Sequence, residues 1–317
     1  MTSLISNVSV APAGLWIAFC VGIFFLLLID LSLFGRGAHK VSRKAALIES
    51  GIWISVALAF NLWFGFAFGQ ELGLEFLTGY LVEKSLSVDN LFVILLIFSS
   101  FRIPDQYQHR VLFYGVLGAI VLRAFFIILG AQLLHMFQWI LYLFGAILVL
   151  TAIKFLRETD EKIDVKENWS IRLLRRLIPT TTSFDGNHFF LVEGGVRKAT
   201  PLFLALIVIE VTDLIFAVDS IPAVFAVTQD AFVAFASNIL AILGLRALYF
   251  VLADWVGKLR YLKPGLAAVL GFIGIKMLLL EVFKIPSWIS LLVIFSILVT
   301  AALSSWYVAR LEAKNLK

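Results

Sequence analysis

The chain has 317 residues, of which 61% are hydrophobic and only 15% charged, and its mean hydropathy is +0.99. These values exclude an ordinary soluble domain and predict an all-α polytopic membrane protein, because a spanning backbone must satisfy its own hydrogen bonds. The formal net charge of +5 is explained by basic loops on one membrane face, so nucleic-acid binding is not needed to account for it.

The first apolar run covers residues 14 to 34. No basic residue precedes it, and it ends in "LIDLSLFGRGAHK" rather than a small-residue cleavage site, so it reads as a retained span and not a signal peptide. Cys20 within it is the only cysteine; neither a disulfide framework nor a thiolate cluster is available. Further runs long enough for about 30 Å of hydrocarbon lie near 48 to 69, 74 to 101, 111 to 134 and 137 to 156, then 201 to 227, 232 to 252, 264 to 283 and 285 to 309. Nine spans result. With the N-terminus outside and the C-terminus cytoplasmic, Arg36, Lys40, Arg43, Lys44, Arg102, Arg110, Lys258, Arg260, Lys263, Arg310, Lys314 and Lys317 share the inner side. Only Lys284 faces them from the other. His39, His109, His135 and His188 fall in predicted loops or at span ends, which leaves soft-metal chemistry poorly supported.

Residues 157 to 200 form a cytoplasmic insert. Its piece "WSIRLLRRLIP" is amphipathic and suits the bilayer surface through Leu173, Leu174 and Leu177. The following "NHFFLVEGGVRKATP" predicts a hairpin around Gly194 and Gly195. A structured linker is the favoured reading, and a regulatory element the alternative.

The chain also repeats itself. "GYLVEKSLSVDNLFVILL" in the third span aligns with "EVTDLIFAVDSIPAVFAV" in the sixth, pairing Glu83 with Asp213, Asp89 with Asp219 and Asn90 with Ser220. "VLRAFF" matches "GLRALYF", pairing Arg123 with Arg246, and "TAIKFL" matches "IGIKMLL", pairing Lys154 with Lys276. A three-span unit duplicated in tandem re-enters the membrane from the opposite side, so the repeats are inverted, an architecture that puts binding sites near midplane at the repeat interface. The expected organisation is spans one and two at 1–73, repeat one at 74–156, the insert at 157–200, repeat two at 201–283, and the last span and tail at 284–317.

Carboxylates within hydrocarbon are expensive unless neutralised, and they mark ion pathways, partners or cavities. Glu83, Asp89, Asp213 and Asp219, with Asn90, Ser220 and Thr212, supply oxygen ligands of the kind that suit magnesium, calcium or manganese. Residues six apart on a straight helix point about 120° from one another, so an unwound turn is expected near these acids. Pro222 supplies one by freeing the carbonyl of Val218. Asn238 is a ligand or a packing residue, and Glu210, whose counterpart is Tyr80, is an accessory acid nearer the cytoplasmic entrance. Arg123 and Arg246 hold the carboxylates when the cation is absent, and Lys154 and Lys276 either pair with acids or snorkel.

The motifs "EKSLSVDN" and "DLIFAVDSIPA", with "GVLGAIVLRAFF", "SNILAILGLRALYF" and "IGIKMLL", resemble the TerC/Alx family of bacterial inner-membrane proteins over nearly the whole chain. The resemblance implies a nine-span manganese exporter linked to metal homeostasis, alkaline-pH response and, in some relatives, tellurium resistance. Its ion-handling residues would be Glu83, Asp89, Asn90, Asp213, Asp219 and Ser220.

The expected function is therefore divalent-cation transport by alternating access, with protons as the exchanged ion through the same carboxylates, no cofactor and no enzymatic step. The alternative is a membrane scaffold whose intramembrane ion pairs are structural. Paired aspartates would also meet one need of an intramembrane hydrolase, two carboxyl groups sharing a site, but no substrate-side feature supports one.

Overall fold

The computed structural model describes residues 9–34, 43–137, 139–157, 178–252, 261–279, 282 and 285–315. Helix α1 runs Ala13–Phe34, α2 Arg43–Phe68, α3 Gln70–Ser100, α4 Asp105–Met136 and α5 Ile140–Arg157. Strands β1 (Phe190–Glu193) and β2 (Val196–Ala199) follow, then α6 Pro201–Val227, α7 Ala231–Leu243, α8 Leu245–Leu252, α9 Leu262–Leu278 and α10 Ser287–Asn315. The predicted surface piece around Leu173, Leu174 and Leu177 lies outside the described residues, as do Arg36, His39, Lys40, Lys258, Arg260, Lys284 and Lys317.

The protein is a mostly helical, multi-pass membrane protein. Six helices, α1, α2, α4, α5, α6 and α10, are long and apolar enough to cross a bilayer, and the bent pair α7 and α8 raises the number to seven. Two further helices occupy the remaining predicted spans. One is α3, which carries Glu71, Glu75, Glu83, Lys84 and Asp89; the other is α9, which has 17 residues.

Local chemistry sets the boundaries. Gly69 separates α2 from α3 at φ 114°, a conformation open to glycine at little steric cost. Pro104 and Pro201 stand at the starts of α4 and α6, where a missing N–H removes no helical bond. Asp230 caps α7, its carboxylate accepting from the N–H groups of Phe232 and Val233 at 2.9 Å. The predicted hairpin forms in register, Phe190 opposite Ala199 and Glu193 opposite Val196, with Gly194 and Gly195 at φ 61° and 77° as a two-residue turn requires.

Two helices depart from expectation. The seventh predicted span breaks at Gly244, and α7 and α8 diverge by 42°. Lys84 Nζ donates to the carbonyl of Ala241 at 3.0 Å, the carbonyl that an unbroken helix would give to the N–H of Leu245. A Cβ on Gly244 would lie 2.8 Å from that ammonium and 3.1 Å from Trp53, so the small residue makes room for the lysine. Conversely, α6 stays helical through Pro222, and the expected unwound turn does not form. Pro222 and Ser220 to Val227 are buried among neighbouring helices, the setting in which membrane helices tolerate proline.

Every residue of α7 is buried. Phe232 at its start meets Trp16 at 5.1 Å, Phe19 at 5.5 Å and Phe64 at 5.7 Å between ring centroids, fixing α1 and α2 around it. Around this centre α3 packs on α7 and α6 on α4, while α3 also meets α6, α4 meets α7, and α5 meets α9. The last pair is close: a Cβ on Gly274 would lie 2.9 Å from the Gly145 carbonyl and 2.9 Å from Val149. Such backbone approach is how membrane helices gain packing without a hydrophobic driving force. Gly274→Val is expected to lower stability in detergent by about 1–3 kcal/mol, whereas Gly51→Ala, whose Cβ meets nothing within 4 Å, should leave the melting temperature unchanged; equal melting of both variants would contradict this packing.

Candidate functional site

The site is built on Arg123, near the middle of α4 and 0% exposed. A guanidinium always carries its charge, so burial at this depth demands anionic partners. It has two. Nη2 donates to Asp213 Oδ1 at 3.0 Å and Nε to Oδ2 of the same carboxylate at 3.4 Å, a bidentate contact with α6. Nη1 pairs with Glu83 of α3, itself 0% exposed. Asn238 of α7 closes the ring, donating from Nδ2 to Glu83 Oε2 at 2.8 Å, and its Oδ1 lies 3.5 Å from Arg123 Nη1. Ser220 Oγ accepts from the same nitrogen at 3.4 Å. Two carboxylates around one guanidinium leave one excess negative charge.

Several predicted residues meet here: Glu83, Asp213, Ser220, Asn238 and Arg123. The seven-residue step from Asp213 to Ser220 is two helical turns, which brings both to one face of α6. Asp219 does not join them. Its carboxylate accepts from Thr151 Oγ1 of α5 at 2.7 Å, with Lys154 its electrostatic neighbour, because a six-residue step on an uninterrupted helix turns it away. Asp89 lies in α3, but its side chain is outside what the structure describes. Among the described residues no group of three or more His, Cys, Asp and Glu is placed to hold a metal ion; at this site the guanidinium stands between the two carboxylates instead.

The remaining predicted residues spread outward. Glu210 lies against α4 with its carboxylate over Gly118, where any Cβ would overlap it. Val218 turns its side chain to the outer surface at 58% exposure. Lys276 is buried on α9 with Glu75 as its electrostatic neighbour. Thr212 returns its hydroxyl to the carbonyl of Val208 at 2.7 Å. Asn90 lines a cavity of about 40 Å³ with Thr212, Asp213, Leu245 and Arg246, enough for a few water-sized occupants.

Arg246 does not repeat the arrangement of Arg123. Its Nη2 donates to Asp30 of α1 at 2.6 Å and to Glu49 of α2 at 2.5 Å, and its Nη1 lies 2.8 Å from His109 Nε2 of α4. Sequence reasoning missed Asp30, Glu49 and His109. The first two lie outside the repeats, and His109, expected at a span end, is buried in the first turns of α4. The available signal was an acid within an apolar run, as in "LIDLSL".

With this geometry established, residues 68–313 match the model of the integral membrane protein TerC family. The chain belongs to the TerC family. It is 49% identical over 297 residues to the uncharacterized membrane protein STKORF319 of Myxococcus xanthus, covering 94% of this chain and 93% of that protein. It is 47% identical over 302 residues to the Escherichia coli K12 protein named "Putative membrane-bound redox modulator Alx", covering 92% and 94%. An uncharacterized membrane protein of Rickettsia bellii is 40% identical over 290 residues, covering 92% and 96%. No solved structure matches the chain.

In this TerC chain, Arg123→Met should leave the buried Glu83 carboxylate uncompensated and destabilise the protein by about 3–5 kcal/mol. Adding Glu83→Gln to Arg123→Met should restore a large part of that loss in a double-mutant cycle read by denaturation; strictly additive effects would show that the pair is not coupled.

Proposed function

We propose that the protein is a divalent-cation transporter of the bacterial inner membrane, exporting Mn2+ by alternating access. The carrying observation is that Arg123 holds acids of both predicted repeats, Glu83 on α3 and Asp213 on α6, at mid-helix depth. A fixed positive charge between two carboxylates and an amide occupies the position a hard cation would take. The cation displaces the guanidinium, and Glu83, Asp213, Asn90 and Ser220 become its oxygen ligands, with Asp89 and Asp219 on the path to and from it.

The architecture in this reading is nine spans, α3 and α9 included, with repeat one at 74–156 and repeat two at 201–283. Supporting it, α3 on α7 and α6 on α4 are equivalent contacts, and the pairs α3 with α6, α4 with α7 and α5 with α9 each join equivalent helices. Such an exchange of equivalent contacts fits two copies related by a two-fold axis, which inverted topology would lay in the membrane plane. The N-terminus lies outside and the C-terminus in the cytoplasm, as loop basicity favours.

The scaffold alternative draws on the cluster at Arg246, whose acid partners, Asp30 and Glu49, lie outside the repeats. The redox role in the name of the Escherichia coli relative has less purchase on this chain, because Cys20 is its only thiol and no dithiol pair can form within it.

Metal uptake by everted vesicles containing the purified protein tests the reading. Manganese flux should fall at least about tenfold, some 1.4 kcal/mol or more, in Asp213→Asn, Asp89→Asn and Asp219→Asn separately, and competing calcium or magnesium should measure selectivity. Undiminished flux in all three would refute the site, and no flux in the wild type would refute transport.

A further inference from the structure

The second buried cluster surrounds Arg246 near the start of α4, across a small cavity from the proposed cation site. Asp30, Glu49, His109 and Arg246 are between 3% and 8% exposed. Both acids reach the same nitrogen, Nη2, at 2.6 and 2.5 Å, so their contacting oxygens lie within 5.1 Å of each other, the sum of those distances. Two buried carboxyl groups this close do not both ionise readily, so one of them keeps its proton. His109 takes no positive charge in this arrangement, since its Nε2 stands 2.8 Å from Arg246 Nη1; it must accept there, with its own proton on Nδ1.

Charge counting reaches the same answer. Among the described residues of the cluster, two carboxylates, one guanidinium and a neutral imidazole sum to one net negative charge. A single proton removes it. The Arg123 site has the same count but not the same geometry, because there the acids bind different nitrogens of the guanidinium and Asn238 donates to Glu83.

We infer that Asp30 and Glu49 share one proton beneath Arg246, forming a proton-binding site separate from the carboxylates that take the cation. Its link to transport rests on the function proposed above. Arg246 and Asp213 line one cavity, so a cation reaching Asp213 adds positive charge beside Arg246. The shared proton then leaves the carboxyl group to water, and the cluster becomes singly negative. Metal and proton thus use different residues, coupled through that cavity. Among the described residues, the other groups near the cluster are Lys84 of α3, whose ammonium lies beside Gly244, Asn90 of α3 and Asp213 of α6 across the cavity, Gln108 of α4, and Tyr249 of α8, whose hydroxyl donates to Gln108 at 2.9 Å. Asp105 of α4 is an electrostatic neighbour of Tyr249.

Infrared spectroscopy of the metal-free protein tests the proton directly. At neutral pH the wild type should show a protonated-carboxyl C=O band that is lost in Asp30→Asn and equally in Glu49→Gln, and kept in Asp213→Asn. Absence of the band from the wild type, or its persistence in both single variants, overturns the proposal. In proteoliposomes loaded with a manganese gradient, protons moved per manganese ion should be lost in whichever of the two variants is folded; a ratio equal to wild type overturns the coupling. Absence of manganese flux from the wild type would instead refute the transporter reading, and the infrared band would still decide the proton site.

Discussion

A permanent charge buried at mid-helix constrains everything near it. Arg123 cannot be neutralised by losing a proton, and at 0% exposure it has no water to fall back on, so the fold must deliver anions to it. Asp213 and Glu83 are those anions, and they come from different helices. These two ionic contacts therefore fix the approach of α3, α4 and α6, while Asn238 ties α7 to the same point. Small residues do the rest of the fitting: Gly118 gives room to Glu210, Gly244 to Lys84, and Gly145 and Gly274 to each other's backbone.

The two arginines divide the charged interior into two levels. Arg123 gathers acids from both predicted repeats, whereas Arg246, its counterpart in sequence, turns to α1, α2 and the start of α4. The break at Gly244 lies two residues before Arg246, so the bend of α8 sets where the second guanidinium points. Between the levels lies a cavity that both Asp213 and Arg246 line.

Much of this is legible in the sequence. Hydropathy alone locates the long helices, since about 20 apolar residues are needed to cross, and "EGGV" is enough for the hairpin. The acids Glu83 and Asp213 and the arginine that bridges them stand out because ionisable residues in apolar runs are rarely idle. What escapes is direction. Asp219 has the same chemistry as Asp213, yet a six-residue step on an unbroken helix sends it to Thr151. Local chemistry points to a break at Pro222, the residue that cannot donate, but burial holds α6 helical, and the break arises at Gly244 where Lys84 takes a helical carbonyl. That contact joins residues 157 positions apart, and no local pattern encodes it. Asp30, Glu49 and His109 escape for a related reason: they lie outside the repeats or at a helix start, and only packing brings them to Arg246.

If Arg123 stands in for the cation, the two compete for the same carboxylates, and removing the arginine must favour the metal. A manganese titration of Arg123→Met and wild type, with free Mn2+ followed by its paramagnetic resonance and only folded protein counted, measures that competition. The variant should bind more tightly by roughly tenfold or more, equivalent to about 1.4 kcal/mol, because Glu83 and Asp213 no longer have a resident charge to displace. Equal or weaker binding by the folded variant would mean that Arg123 does not occupy the cation's place.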